Sequence, residues 1–189
     1  MRHILAYLLL MSAVVSASAF SAIGTVLGPD HHPIAGASIY NLVNHSPIIT
    51  DAQGNFAVHV EQPSGSPVTE RSAVMIVISA PGLALGGGII ENNQPATFTL
   101  GKASALQGTV ADSKHHAVAG VHMVVQSFQN QERFLFIPPE LAARYTAVTD
   151  AQGQFTIPGL PEDGRVWALV DDRRFAKALI QLSLNSIKK

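Results

Sequence analysis

The sequence predicts an all-β protein made of two tandem small antiparallel β-sandwich domains of Greek-key type. Three observations support this fold class: short segments rich in β-branched and aromatic residues, turn residues between them, and an internal repeat. Beyond the first 19 residues, no long stretch shows the 3.6-residue periodicity of an amphipathic helix. Because a sheet with one apolar face must cover it, five to seven short strands in about 85 residues predict a sandwich.

The first element is a predicted secretory signal peptide over residues 1–19. Arg2 precedes an apolar run from Ile4 to Val15, and Ala17 and Ala19 form an A-x-A cleavage site. Cleavage after Ala19 predicts a secreted or periplasmic protein with no membrane span after the leader is removed. The apolar run is shorter than the ~20 residues of a spanning helix, and an uncleaved anchor is the alternative.

The composition excludes several classes of function. The chain has no cysteine, which removes disulfides, thiolate metal sites and a cysteine nucleophile. Twelve basic residues face 13 acidic ones, so no electrostatic argument favours nucleic acid as a partner. The sequence therefore predicts no nucleic-acid partner and no cofactor.

An internal repeat defines the domain organisation. "GTVLGPDHHPIAGA" from Gly24 aligns without a gap on "GTVADSKHHAVAGV" from Gly108, and "TDAQG" recurs at Thr50 and Thr149. These landmarks predict β-sandwich domains at 20–101 and 104–189, joined at "GKAS". The landmarks lie farther apart in the second copy, which predicts a 15-residue insertion near 129–143 that the first copy lacks. "PPELAARY", which begins within these bounds and runs past them, is the one helical candidate.

The repeated phrase "TDAQGNF" is predicted to be a hairpin turn followed by a core residue. Asp51 accepts a backbone N–H two residues on, Gly54 takes the left-handed conformation, and Phe56 starts the return strand. Asp150, Gly153 and Phe155 hold the same places in the second copy. A calcium loop needs several oxygen ligands at alternating positions, and each phrase has a single carboxylate, so the structural interpretation is favoured.

Two histidine doublets are the other repeated landmark: His31 with His32, and His115 with His116. Adjacent strand residues point to opposite faces, so one doublet does not easily chelate one ion. We interpret both doublets as solvated turn residues, and metal binding is the alternative.

The order "GTV", turn, "PIAGA", strand, "TDAxGxF", strand, "APG" resembles the carboxypeptidase regulatory-like domain, a transthyretin-like, prealbumin-like β-sandwich. The resemblance covers nearly all of the chain after the leader. It places a turn glycine where this chain has His31 and His115, and so implies a positive φ at these histidines. Its motifs are turn and core signatures, which identify a fold and not an activity. No His-Glu-x-x-His or Gly-x-Ser-x-Gly string occurs, and no catalytic or metal residue is predicted.

Two functional hypotheses follow. The favoured one is an exported non-catalytic module for binding, adhesion or spacing, whose partner is an unknown envelope protein or polysaccharide. Its candidate contact residues are Phe134, Leu135, Phe136 and Ile137, which either cover their own sandwich or present a patch. The alternative is a small-molecule or carbohydrate-binding protein, or a hydrolase, that uses the inter-domain cleft. It rests on the charged residues Asp171, Asp172, Arg173 and Arg174.

Overall fold

The computed structural model describes residues 19–41, 46–62, 67–69, 72–130, 133–174 and 177–184. The predicted signal peptide lies outside these residues except for Ala19, which opens the first strand. None of the helices within these ranges is long and apolar enough to cross a membrane. The strands dominate, and the predicted all-β fold class is confirmed.

The described residues of the first copy of the repeat form seven strands. They are β1 (Ala19–Leu27), β2 (Ser38–Asn41), β3 (Ile48–Ile49), β4 (Asn55–Glu61), β5 (Ala73–Ser79), β6 (Gly86–Glu91) and β7 (Ala96–Thr99). The second copy contains β8 (Ser104–Thr109), β9 (His122–Asn130), β10 (Arg133–Phe136), α1 (Pro139–Ala142) with a 3-10 turn (Ala143–Tyr145), β11 (Thr146–Val148), β12 (Gln154–Leu160), β13 (Arg165–Asp171) and β14 (Ala178–Ser183).

Two sheets form the first sandwich, with strand orders β4-β1-β7 and β3-β2-β5-β6. Alternate residues of each sheet meet between them, because successive side chains of a strand point to opposite faces. The resulting core contains Phe20, Val26, Ile39, Phe56, Val58, Val60, Ile76, Ile78, Ile90 and Phe98.

The second sandwich pairs a two-stranded sheet, β12-β8, with a five-stranded one of order β10-β9-β13-β14, in which β11 also pairs with β9. A bulge in β9 shifts the register, so that Trp167 lies opposite Ser127 and Ala168 lies opposite Val125. The core contains Leu106, Met123, Val125, Phe128, Phe155, Ile157, Leu160, Val166 and Ala168.

One strand departs from the predicted antiparallel arrangement. β7 pairs in parallel with β1, in a register that places Val26 opposite Phe98. Parallel neighbours need a long crossover connection, and here most of the first repeat separates the two strands. Local sequence patterns do not show this pairing, because it joins segments about 70 residues apart.

In both copies, a buried threonine forms hydrogen bonds to the backbone of another turn. The hydroxyl of Thr50 accepts a hydrogen bond from the Ala37 N–H at 2.9 Å and donates one to the Ile34 carbonyl at 2.7 Å. In the second copy the hydroxyl of Thr149 accepts from the Val121 N–H at 2.9 Å and donates to the Val118 carbonyl at 2.7 Å. The threonine of the repeated phrase therefore satisfies backbone groups that would otherwise be buried without a partner.

Candidate functional site

The insertion of the second repeat forms β10 and α1. β10 pairs antiparallel with the end of β9, and its side chains alternate between two faces. Phe134 and Phe136 are 39% and 49% exposed, whereas Leu135 and Ile137 are 1% and 9% exposed. Of the four predicted contact residues, Leu135 and Ile137 are therefore in the core and not at the surface. Because side chains alternate along the chain here, Leu135 and Ile137 cover the core, whereas Phe134 and Phe136 remain at the surface.

The buried side of the insertion reaches the first repeat. Leu135, Ile137 and Leu141 belong to one apolar cluster with Tyr40 and with two further residues of the first repeat, Val77 and Leu85. β10 lies against β5 and β6, on the face of their sheet that points away from the first core. β5 is consequently covered on both faces, with Val74, Ile76 and Ile78 in one cluster and Val77 in the other.

The open side of the insertion carries three aromatic rings in contact. The Phe134 ring meets the Phe136 ring edge to face with centroids 5.1 Å apart, and it meets the Trp167 ring at 4.8 Å. Such edge-to-face pairs stabilise by about 0.5–1.5 kcal/mol beyond the area they bury. The rings thus hold one another in place while two of them keep much of their surface in water.

Further apolar residues of the five-stranded sheet extend this surface. The register places Leu169 opposite both Val124 and Leu179, on the same side of the sheet as Trp167. Leu179 is 58% exposed, and Val124 and Leu169 are half-buried. We call the set formed by these side chains the aromatic face: Val124, Phe134, Phe136, Trp167, Leu169 and Leu179.

The predicted turn residues lie between β3 and β4 in the first copy and between β11 and β12 in the second. In each copy the two strands belong to different sheets, so the turn crosses from one sheet to the other and the prediction of a hairpin is wrong. The Asp51 carboxylate accepts hydrogen bonds from the N–H groups of Gln53 at 2.9 Å and Asn55 at 2.8 Å. Gly54 has φ +74°. A Cβ there would lie 2.6 Å from the Val26 carbonyl oxygen, so the turn requires glycine on steric grounds as well.

The second copy repeats this geometry. The Asp150 carboxylate accepts from the N–H groups of Gln152 and Gln154 at 2.9 and 2.8 Å, and Gly153 has φ +72°. The rings of Phe56 and Phe155 are 6% and 8% exposed. The structure therefore places the aspartates in backbone-capping roles and the phenylalanines in the two cores.

The histidine doublets lie in hairpin turns. His31 and His115 have φ values of +61° and +64°, in the left-handed region that the resemblance implies. The Asp112 carboxylate accepts N–H bonds from Lys114 and His116, and the bond from His116 is the main reason that the pKa of Asp112 is lowered. In the first copy Asp30 accepts from His32 and its pKa is lowered for the same reason. In the part of the chain described, no three metal-ligating side chains come together.

The charged residues after β13 form a turn within the second repeat. Arg174 binds the Asp172 carboxylate and the Ala119 carbonyl, both at 2.6 Å, and Asp171 pairs with Lys177 at 2.8 Å. The Arg174 hydrogen bonds lower the pKa of Asp172 to about 2. A groove of about 850 Å³ beside this turn is lined by these charged residues and by other residues of the second repeat.

Among the described residues of the first sandwich, a serine contacts a histidine. Ser21 and His59 are opposite each other on β1 and β4, with 2.7 Å between Oγ and Nδ1. Both side chains are exposed, and they face water on the outer side of the sheet. This pair is a cross-strand surface contact of the kind that polar residues make in sheets.

Comparison with known proteins gives no family for this chain. No protein-family model matches, and no curated protein matches. Among solved structures, the shaft pilin SpaA of Lactobacillus rhamnosus GG is similar with a TM-score of 0.35 and 10% identity, over 88% of this chain and 94% of that one. The pilus backbone protein RrgB of Streptococcus pneumoniae has a TM-score of 0.35 and 13% identity, over 87% and 57%. A streptococcal ancillary pilin has a TM-score of 0.36 and 11% identity, over 90% and 60%.

Several residues on the two apolar sides of the insertion are not predicted from the sequence. We call the three residues of the first repeat that belong to the cluster of the second repeat the docked face: Tyr40, Val77 and Leu85. The sequence predicts no surface role for these residues, nor for Trp167 and Leu179 of the aromatic face. The signal for the docked face is present in "AVMIVIS", the sequence of β5, which is apolar at both parities. A strand covered on one face alternates, whereas a continuous apolar run indicates cover on both.

Proposed function

We propose that this chain is an exported, non-catalytic structural module that associates through the aromatic face with another β-sandwich, namely a second copy of the chain. The predicted leader and the tandem carboxypeptidase regulatory-like motifs belong to this proposal, as do the domain boundaries at 20–101 and 104–189. The observation that carries it is the cluster of Phe134, Phe136 and Trp167 on an open sheet face. Exposed contiguous apolar patches of this kind typically mark interaction sites.

The internal repeat supports a protein partner for this face. In the first repeat Tyr40 lies opposite Val77, and in the second repeat the equivalent pair is Val124 and Leu169. Tyr40 and Val77 are buried by another sandwich of the same fold, namely the second repeat. The face that is covered by a sandwich in the first repeat is therefore the face that carries the exposed aromatic rings in the second.

A second copy also offers an apolar surface of matching character. On the first sandwich, Ile23 and Ile49 are 48% and 54% exposed beside a groove of about 500 Å³. A contact between two different surfaces of identical chains is heterologous and joins copies head to tail. The near-neutral formal charge of −1 leaves little long-range repulsion between copies.

A polysaccharide partner is the second candidate. The register places Gln181 opposite Trp167 and Gln129 opposite Phe134, so amide groups flank the rings. Aromatic rings bordered by neutral hydrogen-bonding groups suit an uncharged ligand with polar and apolar faces.

Sedimentation velocity of the mature chain over a wide concentration range tests the proposal. We expect the average mass to rise with concentration for the wild type and to stay monomeric for Phe134→Ser with Phe136→Ser. Ile23→Ser tests the partner surface, because Ile23 is 48% exposed and lines the groove of the first repeat. The proposed head-to-tail contact predicts that this variant weakens association as well.

If Ile23→Ser associates like the wild type, the contact lies on another surface of the second copy, and the head-to-tail arrangement is overturned. A wild type that remains monomeric throughout overturns self-association itself. Retention of that monomer on insoluble polysaccharide, lost in the double phenylalanine variant, would then favour the second candidate.

A further inference from the structure

We infer that the outer face of the β3-β2-β5-β6 sheet is the docking surface for segment 133–145, and that this contact makes the two repeats one cooperative unit. The role of the insertion is then to couple the repeats. This inference concerns the inner side of the insertion, so it is independent of what binds the aromatic face.

Apolar burial supplies most of the contact. Val77 and Leu85 of the first repeat are 2% and 1% exposed, and both lie in the cluster of the second repeat. From the second repeat, Leu135 and Leu141 are 1% and 0% exposed. Burial this complete is typical of a domain core, whereas contacts between mobile domains are more polar.

Polar groups fix the orientation of the two repeats. The Leu85 N–H donates to the Gly159 carbonyl at 2.9 Å, and Arg144 donates to the Ser79 hydroxyl at 3.5 Å. Tyr145, which follows the insertion, is buried, and this burial raises the pKa of its phenol while a hydrogen bond with Ser79 opposes the shift. The contacts of Arg144 and Tyr145 join the 3-10 turn to the end of β5, and the bond between Leu85 and Gly159 joins the first repeat to β12.

Sheet architecture explains why the insertion needs the first repeat. Among the described residues of the second sandwich, a five-stranded sheet is opposed by the two-stranded β12-β8 sheet. Because an apolar sheet face must be covered, the part extended by β10 requires another layer, and the first repeat provides it. The connection is also short, since β7 ends at Thr99, β8 begins at Ser104, and Lys102 forms a bridge with Leu83.

The single tryptophan, Trp167, makes the coupling measurable because its fluorescence reports only the second repeat. Ile78→Ala removes a fully buried side chain from the core of the first repeat. If the repeats unfold together, we expect the Trp167 melting curve to shift down by roughly 4–20 °C, as far as the circular-dichroism curve does. An unshifted Trp167 transition beside a lowered first transition would overturn the inference. Ile78→Val provides the same test with a milder perturbation if the alanine variant does not fold.

An uncoupling variant completes the design. Val77→Asn places an amide in the docked face without entering the first core, and Ile89→Asn is its control on the same face, where Ile89 is 50% exposed. We expect Val77→Asn to split the transition in two and to increase the radius of gyration in small-angle scattering, whereas Ile89→Asn leaves both unchanged. A single transition in Val77→Asn with an unchanged radius would contradict the inferred docking.

Discussion

The contact between Gly108 and Phe155 permits a sharp test. We expect Gly108→Ala to lower stability when the Phe155 ring is present and to raise it when the ring is absent. Gly108 and Phe155 are opposite each other on β8 and β12. A Cβ on Gly108 would lie 2.8 Å from both Cε1 and Cζ of the Phe155 ring, which is closer than real contacts allow. In the wild type, Gly108→Ala should therefore overpack the core and cost about 1–3 kcal/mol.

Removing the ring reverses this expectation. Phe155→Ala alone should cost about 3–5 kcal/mol because Phe155 is 8% exposed and its removal leaves a cavity. With the ring absent, every close neighbour of the added Cβ is gone. Gly108→Ala should then stabilise the Phe155→Ala variant by roughly 0.5–1 kcal/mol, since alanine loses less backbone entropy in a strand than glycine.

Urea denaturation of the four chains gives the coupling energy, which we expect to be about 2–3 kcal/mol. The first repeat provides a matched pair, Gly24 and Phe56, where a Cβ would lie 2.6 Å from the ring but also 3.0 Å from the Ala96 carbonyl oxygen. Because that carbonyl remains after Phe56→Ala, rescue by Gly24→Ala should be smaller. If Gly108→Ala has the same effect with and without the ring, the core register of the second repeat is wrong.

Three further predictions follow from single sites. His115→Gly should leave stability unchanged or raise it by up to about 1 kcal/mol in urea denaturation, because φ at His115 is +64°; a clear loss would mean that the imidazole makes a stabilising contact. Thr149→Val should cost about 1–3 kcal/mol, since it leaves the Val121 N–H without its acceptor, and Thr149→Ser, which keeps the hydroxyl, should retain most of the stability. Asp172 has a pKa lowered from 3.8 to about 2 by Arg174, so its stabilising effect is complete above pH 4 and is lost as the pH falls toward 2. Asp172→Asn should therefore lower stability at neutral pH and flatten its dependence between pH 4 and 2, and an unchanged acid profile would contradict the Asp172–Arg174 pairing.

Local patterns were sufficient for the backbone conformation of the turns and for much of the two cores, but not for which sheets the turns connect. The spacing of Asp51, Gly54 and Phe56 predicts a capped turn, a left-handed residue and an inward ring. In the structure the Asp51 carboxylate accepts a backbone N–H, Gly54 has φ +74°, and Phe56 is buried. Each feature depends on residues only a few positions apart. The histidine turns are similar, since the alignment with a glycine position was enough to imply a positive φ at His31.

The insertion shows that local patterns do not determine which side chains are buried. Four apolar residues in a row, Phe134 to Ile137, have no alternation by themselves, so the sequence left open whether they cover a core or face a partner. Pairing of β10 with β9 decides the question, because it turns Leu135 inward and Phe134 outward. Strand pairing sets the face of every residue, and a register is a tertiary property.

The sequence by itself determined the all-β class, the tandem repeat and the chemistry of the turns, because these depend on composition, on self-similarity and on contacts between near neighbours. Only the tertiary structure decided that β7 joins β1 in parallel, that Val77 and Leu85 are buried by the second repeat, and that Trp167 meets Phe134. The physical reason is that burial and docking depend on which surfaces remain uncovered after both sandwiches have formed. Surfaces of this kind are assembled from strands that are distant in the chain, so no short stretch of the sequence describes them.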